Sequence, residues 1–303
     1  MVYDLIIVGG GISGMTCALY ALRNNKSVLI IEKENFGGQI ANSPLVDNYP
    51  CVENVSGLTL MDTLFNQIYQ LGVKFELEEV LKIGKLDDGN FLVITNYNAH
   101  EGKAVVLANG VKHRMMKLPN EENLIGKGIS FCAVCDGPLL KNKEAYLIGD
   151  ANTALKYATL LADYCSKVNI FTLFDHFFGD QKLIDKVTNN DRIIIRHNMN
   201  LVAYKGENKL EGLVFENTVD KTRTEFLTDN VFIAIGQVPN NEMFSDLVEL
   251  NHGYIVTNEK METKTPGLFA IGDTRKKEVR QLVTASSDGA IASLNAINYL
   301  NNL

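Results

Sequence analysis

Apolar residues along this chain come in short, dense runs separated by glycine-rich turns and amphipathic stretches. The first run is Asp4-Leu5-Ile6-Ile7-Val8, followed by Gly9-Gly10-Gly11-Ile12-Ser13-Gly14. Met15, Ala18, Leu19 and Leu22 then fall at i, i+3, i+4 and i+7, which predicts one buried face of a helix. A second strand, Val28-Leu29-Ile30-Ile31, ends in Glu32. Residues 73–98 alternate in short β-like pieces around a turn at Asp87-Asp88-Gly89-Asn90. Ala104–Ala108 is another buried strand, ending at Asn109-Gly110. A second strand–turn–helix–strand set follows: Ala145–Ile148, a helix from Thr153 with Ala154, Ala158 and Leu161 inward, and Val168–Phe171. Near the far end, Gly267–Ile271 delivers Gly272-Asp273 to a turn. The run Arg280–Ala290 leads into a last helix with Ile291, Leu294 and Ile297 expected inward.

The opening set is G-x-G-x-x-G in its full context, with a strand before it, a helix after it and an acid at the end of the next strand. Gly9 makes the turn, Gly11 admits a pyrophosphate to the backbone, and Gly14 lets helix and strand pack closely. Free N–H groups at the helix start favour the anion, and Glu32 is placed to bind an adenosine ribose. The motif predicts an adenine dinucleotide.

A second candidate centre is Cys132-Ala133-Val134-Cys135-Asp136. Two cysteines one turn apart can form a small, readily reduced disulfide, and the adjacent acid can move a proton as that bond opens and closes. A zinc site would need a second ligand pair. Cys17, Cys51 and Cys165 are scattered singly, and the five histidines contain no metal-spaced pair. No metal is expected, and a redox dithiol is the favoured reading.

With 303 residues, 46% hydrophobic and 21% charged, two ordinary globular domains are expected. The net charge of −7 makes nucleic acid and anionic membranes poor partners. No apolar run approaches a membrane span, and the first strand begins by Tyr3, so a cytoplasmic protein is expected.

Taken together, the first fingerprint, Gly37-Gly38-Gln39, the Cys132–Gly137 run, Gly272-Asp273 and Arg280-Gln281 resemble the low-molecular-weight thioredoxin reductases, in order and over essentially the whole chain. That resemblance implies an α/β fold of two dinucleotide-binding, Rossmann-like three-layer domains, the second inserted into the first. Residues 1–111 and 245–303 would form a discontinuous FAD domain, and 112–244 the insert carrying the dithiol. It further implies that Gly9, Gly11, Ser13, Gly14, Glu32, Gly38, Gln39, Asn48, Val80, Gly272, Asp273, Arg280 and Gln281 contact FAD. Cys135 would face the flavin, Cys132 would attack thioredoxin, Asp136 would serve as acid and base, and the protein would be a homodimer.

The family's second fingerprint, for NADPH, is eroded here. Gly149-Asp150-Ala151-Asn152-Thr153-Ala154 has a methyl where the second glycine belongs and an acid beside the phosphate site. Leu173, Phe174 and Phe178 stand where a His-Arg-Arg cluster would grip a 2′-phosphate. An intact dithiol and flavin half with an eroded nicotinamide half resembles the ferredoxin-dependent flavin thioredoxin reductases. On that resemblance ferredoxin is the electron donor and neither NADPH nor NADH is used. A basic docking patch is then expected, and Thr274–Arg280 is the densest basic run. The rival expectations are an NAD(P)H-dependent enzyme with a divergent site, a related flavin disulfide oxidoreductase with another flavin or partner, and a redox sensor that does not turn over.

Overall fold

The computed structural model describes residues 1–303, which divide into two compact units. Unit 1 comprises Met1–Lys112 and Val238–Leu303; unit 2 is His113–Gln237.

Unit 1 is built on a seven-stranded sheet. Strand β1 (Val2–Val8) lies parallel between β2 (Val28–Glu32) and the long strand Ala99–Leu107. Lys74–Leu77 extends the sheet beyond β2, and Leu268–Ala270 pairs in parallel with the end of Ala99–Leu107. The antiparallel strands Phe91–Thr95 and Val80–Lys85 continue from the start of that long strand. Leu5 and Ile7 enter one core, under the helix α1 (Ile12–Arg23) and the C-terminal helix Leu282–Leu300. Ile6 and Val8 enter the opposite core, with Phe91, Val93, Phe244 and Ile255. Both faces of the strand are covered, and for that reason it reads as a continuous apolar run rather than an alternating one.

The C-terminal helix departs from the expected pattern. Leu294 is 50% exposed, and the buried face is Ala285, Asp288, Gly289, Ala292, Ser293, Ala296 and Ile297. A Cβ on Gly289 would stand 2.3 Å from the Ser13 carbonyl oxygen. The helix approaches α1 too closely for large side chains at the contact, so its bulkier residue turns outward.

Unit 2 repeats the plan. Its five-stranded parallel sheet runs Ile193–Arg196, β4 (Lys167–Phe171), β3 (Glu144–Ile148), Val231–Ile233, Ile129–Ser130. The helix α2 (Asn152–Tyr164) covers one face with Ala154, Leu155, Ala158 and Leu161. The antiparallel strands Met199–Lys205, Gly212–Asn217 and Arg223–Leu227 form a separate three-stranded sheet. Leu201, Leu213 and Phe215 from that sheet share the other core with Tyr146 and Ile148 of β3, whereas Ala145 and Leu147 face α2.

The two units superpose at the level of single backbone bonds. The Gly9 amide donates to the Ile31 carbonyl at 2.8 Å, and the Gly149 amide to the Phe171 carbonyl at 3.1 Å. Gly11 bridges Gly37, and Ala151 bridges Phe178. The Gly37 amide donates to Gly10 and the Phe178 amide to Asp150, at 2.9 and 2.7 Å. Each unit therefore carries one glycine-turn site in the same backbone frame, lined by different side chains. No helix is long and apolar enough to cross a membrane.

Candidate active site

The dithiol sits where the short strand Ile129–Ser130 turns into a single helical turn, Ala133–Asp136. Cys132 occupies the cap position ahead of that turn. Its carbonyl accepts from the Cys135 and Asp136 amides at 3.2 and 3.0 Å. Cys132 and Cys135 are joined by a disulfide, with Cα atoms 5.3 Å apart. The Cys135 amide also donates to the Cys132 sulfur at 3.2 Å, a contact that favours negative charge on that sulfur when the bond is open. Gly137 fits closely behind the turn: a Cβ there would lie 3.0 Å from the Leu161 side chain of α2, which would have to shift by a few tenths of an ångström.

Asp136 is largely sequestered, and burial pushes its carboxyl above the usual carboxylate range, opposed by a hydrogen bond from Ser130. The Ser130 hydroxyl donates to Asp136 Oδ2 at 2.5 Å and accepts from the Cys132 amide at 3.1 Å. A carboxyl raised by burial and set one residue after Cys135 can give and take the proton that disulfide exchange requires.

The first glycine site lies in unit 1. A Cβ on Gly9 (φ +114°) would stand 2.3 Å from the Ala108 carbonyl oxygen, and one on Gly14 would stand 2.1 Å from the Gly9 oxygen. Neither position tolerates a side chain. Gly11 differs: a Cβ there would meet only the Gly38 Cα, at 4.0 Å, so its backbone faces open space. Glu32 accepts from the Gly10 amide at 2.8 Å and from the Lys33 and Glu34 amides at 2.9 Å, which fixes its carboxylate beside the turn. Gly272 (φ +72°) passes so near Ser13 that a Cβ would stand 2.7 Å from its hydroxyl. Asn48 donates to Gln281 at 3.4 Å, and Gln39 donates to the Val111 carbonyl. The Val80 side chain packs in the core, leaving its backbone as the part able to meet a ligand. Arg280 lies 4.2 Å over the Tyr254 ring and donates to the Asp273 carbonyl at 3.4 Å.

Among the buried polar atoms of this unit without a hydrogen-bond partner are Asn109 Oδ1 and Asp273 Oδ1, the latter 3.9 Å from Lys277 Nζ. Burial raises the Asp273 carboxyl. Unpaired buried acceptors beside a bare glycine backbone are what a hydroxyl-rich, phosphate-bearing dinucleotide would satisfy, so these residues fit FAD.

Several contributors lie outside the sequence motifs. Asp288, 6% exposed, accepts from the Gly272 amide at 3.0 Å, Arg275 at 3.2 Å and Lys277 at 3.0 Å. Asn241 is fully buried and bonds Gly253, Thr274 and Asn109. A charged residue on the otherwise small, apolar face of the last helix was the available signal for Asp288; Asn241 and Ser130 had none.

The same Asp288 corrects the reading of Thr274–Arg280 as a docking patch. Arg275 and Lys277 are turned inward, their side chains 15% and 9% exposed, and Arg280 lies over Tyr254. Of the four cations only Lys276 is exposed, with Glu278 beside it. The run spends its charge inside the unit.

In unit 2, Ala151 occupies the place of Gly11, Asp150 that of Gly10, and Phe178 that of Gly37. Counted from the paired turns, Thr172 holds the place of Glu32. It is fully buried, donates to the Phe174 carbonyl and lies 2.7 Å from His197 Nδ1. Leu173, Phe174 and Phe178 are about half exposed, and His176 pairs with Asp175 at 2.6 Å.

Residues 3–289 match the pyridine nucleotide-disulphide oxidoreductase family. A thioredoxin reductase from Listeria monocytogenes is 35% identical over 305 residues, covering 100% of this chain and 95% of its own. A 34.2 kDa protein in the rubredoxin operon of Clostridium pasteurianum is 36% identical over 298 residues, covering 98% and 97%. The crystal structure of thioredoxin reductase from Streptococcus pyogenes aligns with TM-score 0.95 at 34% identity, covering 100% of this chain and 99% of that one. The family match and these similarities run along essentially the full length, and the chain belongs to the pyridine nucleotide-disulphide oxidoreductase family.

Proposed function

We propose that this protein is a thioredoxin reductase that passes electrons through FAD and the Cys132–Cys135 disulfide to the disulfide of thioredoxin. The observation that carries this reading is the disulfide set one residue ahead of a half-buried, Ser130-bonded acid, in a chain whose relatives bear that name. Gly9–Gly14, Glu32 and Gly272-Asp273 would hold FAD, which when bound would supply two electrons per disulfide reduced. Those electrons and two protons convert the Cys132–Cys135 bond to two thiols. Asp136 takes one thiol proton, and the Cys132 thiolate attacks a sulfur of thioredoxin. The thioredoxin disulfide breaks as the mixed disulfide forms, and the departing sulfur takes the proton back from Asp136. The Cys135 thiol then gives its proton to the freed Asp136 carboxylate and its sulfur attacks Cys132 Sγ; the mixed disulfide breaks, the enzyme disulfide is restored, and the second thioredoxin sulfur leaves as a thiol with the proton from Asp136.

Two readings of the electron donor each rest on a specific observation. Kinship with a family named for pyridine nucleotide supports NAD(P)H, bound in unit 2 at a divergent site. The residues of that site support a one-electron donor instead, with ferredoxin the proposed one. Ala151 puts a methyl into the phosphate turn, and Thr172 has its hydroxyl engaged within the protein. Residues 172–180 contain no lysine or arginine for a 2′-phosphate. Anaerobic bleaching of the yellow holoprotein with NADPH, NADH and reduced ferredoxin, each added alone at stoichiometric amounts, separates the two. Rapid bleaching by either nicotinamide selects the first reading; bleaching by ferredoxin alone selects the second.

A further inference from the structure

The mechanism above assigns the proton to Asp136 and leaves open what sets its pH of exchange. The surroundings of the carboxyl answer this. From α2, Tyr157 donates to the Phe131 carbonyl at 3.3 Å, and Tyr164 lies against Gly137. On the other side, His113 stacks on Phe131 with ring centroids 4.5 Å apart. Burial pushes the His113 imidazole down to about 4, so it is uncharged at neutral pH. The His113 imidazole therefore adds no charge there, and the Asp136 carboxyl is raised by burial and drawn back by Ser130.

The Ser130 hydroxyl has a fixed direction. One lone pair is taken by the Cys132 amide at 3.1 Å, which leaves its hydrogen directed at Asp136 Oδ2, 2.5 Å away. A donor so placed stabilises the carboxylate over the acid. It also joins the backbone of the attacking cysteine to the acid by one atom, so the two move as a unit with the end of the strand Ile129–Ser130. We propose that Ser130 is a positioning residue: its hydroxyl ties the Cys132 backbone to Asp136, sets the pH at which that carboxyl exchanges the dithiol proton, and leaves Oδ1 as the oxygen through which the proton passes. The inference rests on the dithiol chemistry proposed above and is independent of the donor and of thioredoxin itself.

The test uses holoprotein reduced with dithionite, freed of excess reductant anaerobically, and mixed with the small disulfide dithiobis(nitrobenzoate) across the acid range. The wild-type rate rises with pH along an acid limb, and D136N removes that limb. In S130A the limb moves up by about one pH unit, the size expected when a carboxylate loses one hydrogen bond of about 1.5 kcal/mol or more. In S130T, which keeps the hydroxyl, it stays at the wild-type position. Flavin content and melting temperature report folding. Should S130A fail to fold, S130G, which also lacks the hydroxyl, carries the same test with the same upward shift. An S130A limb at the wild-type midpoint, merely scaled in amplitude, would overturn the proposal, as would equal shifts in S130A and S130T. Failure to reduce thioredoxin with a normal response to the small disulfide would count against the proposed function and leave this inference standing.

Discussion

Asp288 Oδ2 accepts the Gly272 amide hydrogen at 3.0 Å from within the C-terminal helix, and the same oxygen meets Arg275 and Lys277. One buried carboxylate thereby fixes the loop that carries Asp273 and neutralises two cations of a run that looks basic in sequence. Removing it leaves Arg275 sequestered without its carboxylate and Lys277 with only the more distant Asp273, 3.9 Å away. Asp288→Ala should cost about 3–5 kcal/mol, and flavin should be lost before the protein unfolds. Flavin absorbance per protein and thermal melting of the holoprotein check this; full flavin retention with an unchanged melting temperature would show that the loop stands without Asp288.

The glycines of the first turn make a sharper contrast. A methyl on Gly14 would stand 2.1 Å from the Gly9 oxygen, whereas one on Gly11 would touch only the Gly38 Cα at 4.0 Å. Gly14→Ala should therefore destabilise unit 1 itself. Gly11→Ala should leave flavin-free stability within ~0.5 kcal/mol and weaken FAD binding roughly tenfold or more, about 1.4 kcal/mol. Urea unfolding of the flavin-free proteins and flavin titration separate the two effects. Unit 2 already carries that methyl, at Ala151.

The Cys132 sulfur has a backbone donor of its own. It accepts the Cys135 amide hydrogen at 3.2 Å, which suits Cys132 as the attacking thiolate. Cys135→Ser should accumulate a mixed disulfide between Cys132 and thioredoxin, visible by mass under non-reducing conditions, while Cys132→Ser should form none. The opposite outcome would exchange the two roles.

Burial raises the Asp136 carboxyl, so its ionised form is disfavoured in the folded protein relative to the unfolded chain. The stabilising contribution of the protonated acid is complete below the ordinary carboxylate range and disappears as pH rises through the raised value. Asp136→Asn should accordingly raise the melting temperature at pH 7, a gain that vanishes in acid, while thiol–disulfide exchange falls at least tenfold, within the usual range for losing a general acid–base. A variant less stable than wild type at pH 7 would mean that the carboxylate is stabilised where it sits.

Much of this was legible in the sequence, for reasons that can be named. Leu5–Val8 and Ala145–Ile148 are buried on both faces, so they appear as unbroken apolar runs. The glycine turn and the cysteine pair are contiguous and steric, so spacing alone displays them. Hydrophobic periodicity points Leu294 inward, whereas close approach to α1 selects for smallness and turns it outward. The Thr274–Arg280 run looks basic in a linear count of charge, which cannot register Asp288 folding back from the next helix. Ser130 and Asn241 act through hydrogen bonds fixed by three-dimensional placement, and neither leaves a periodic or compositional trace. The correspondence of Thr172 to Glu32 emerged from the strand register of the two units.

The central claim is that electrons held by the flavin leave through Cys132–Cys135 to thioredoxin. Its most direct measurement is anaerobic mixing of the dithionite-reduced, desalted holoprotein with one equivalent of oxidised thioredoxin, followed by flavin absorbance and thioredoxin thiols together. The account predicts that the yellow colour returns as two thiols appear per thioredoxin, and that Cys132→Ser abolishes both signals. Flavin that stays reduced in the presence of thioredoxin, or a Cys132→Ser protein that reoxidises at the wild-type rate, would contradict it.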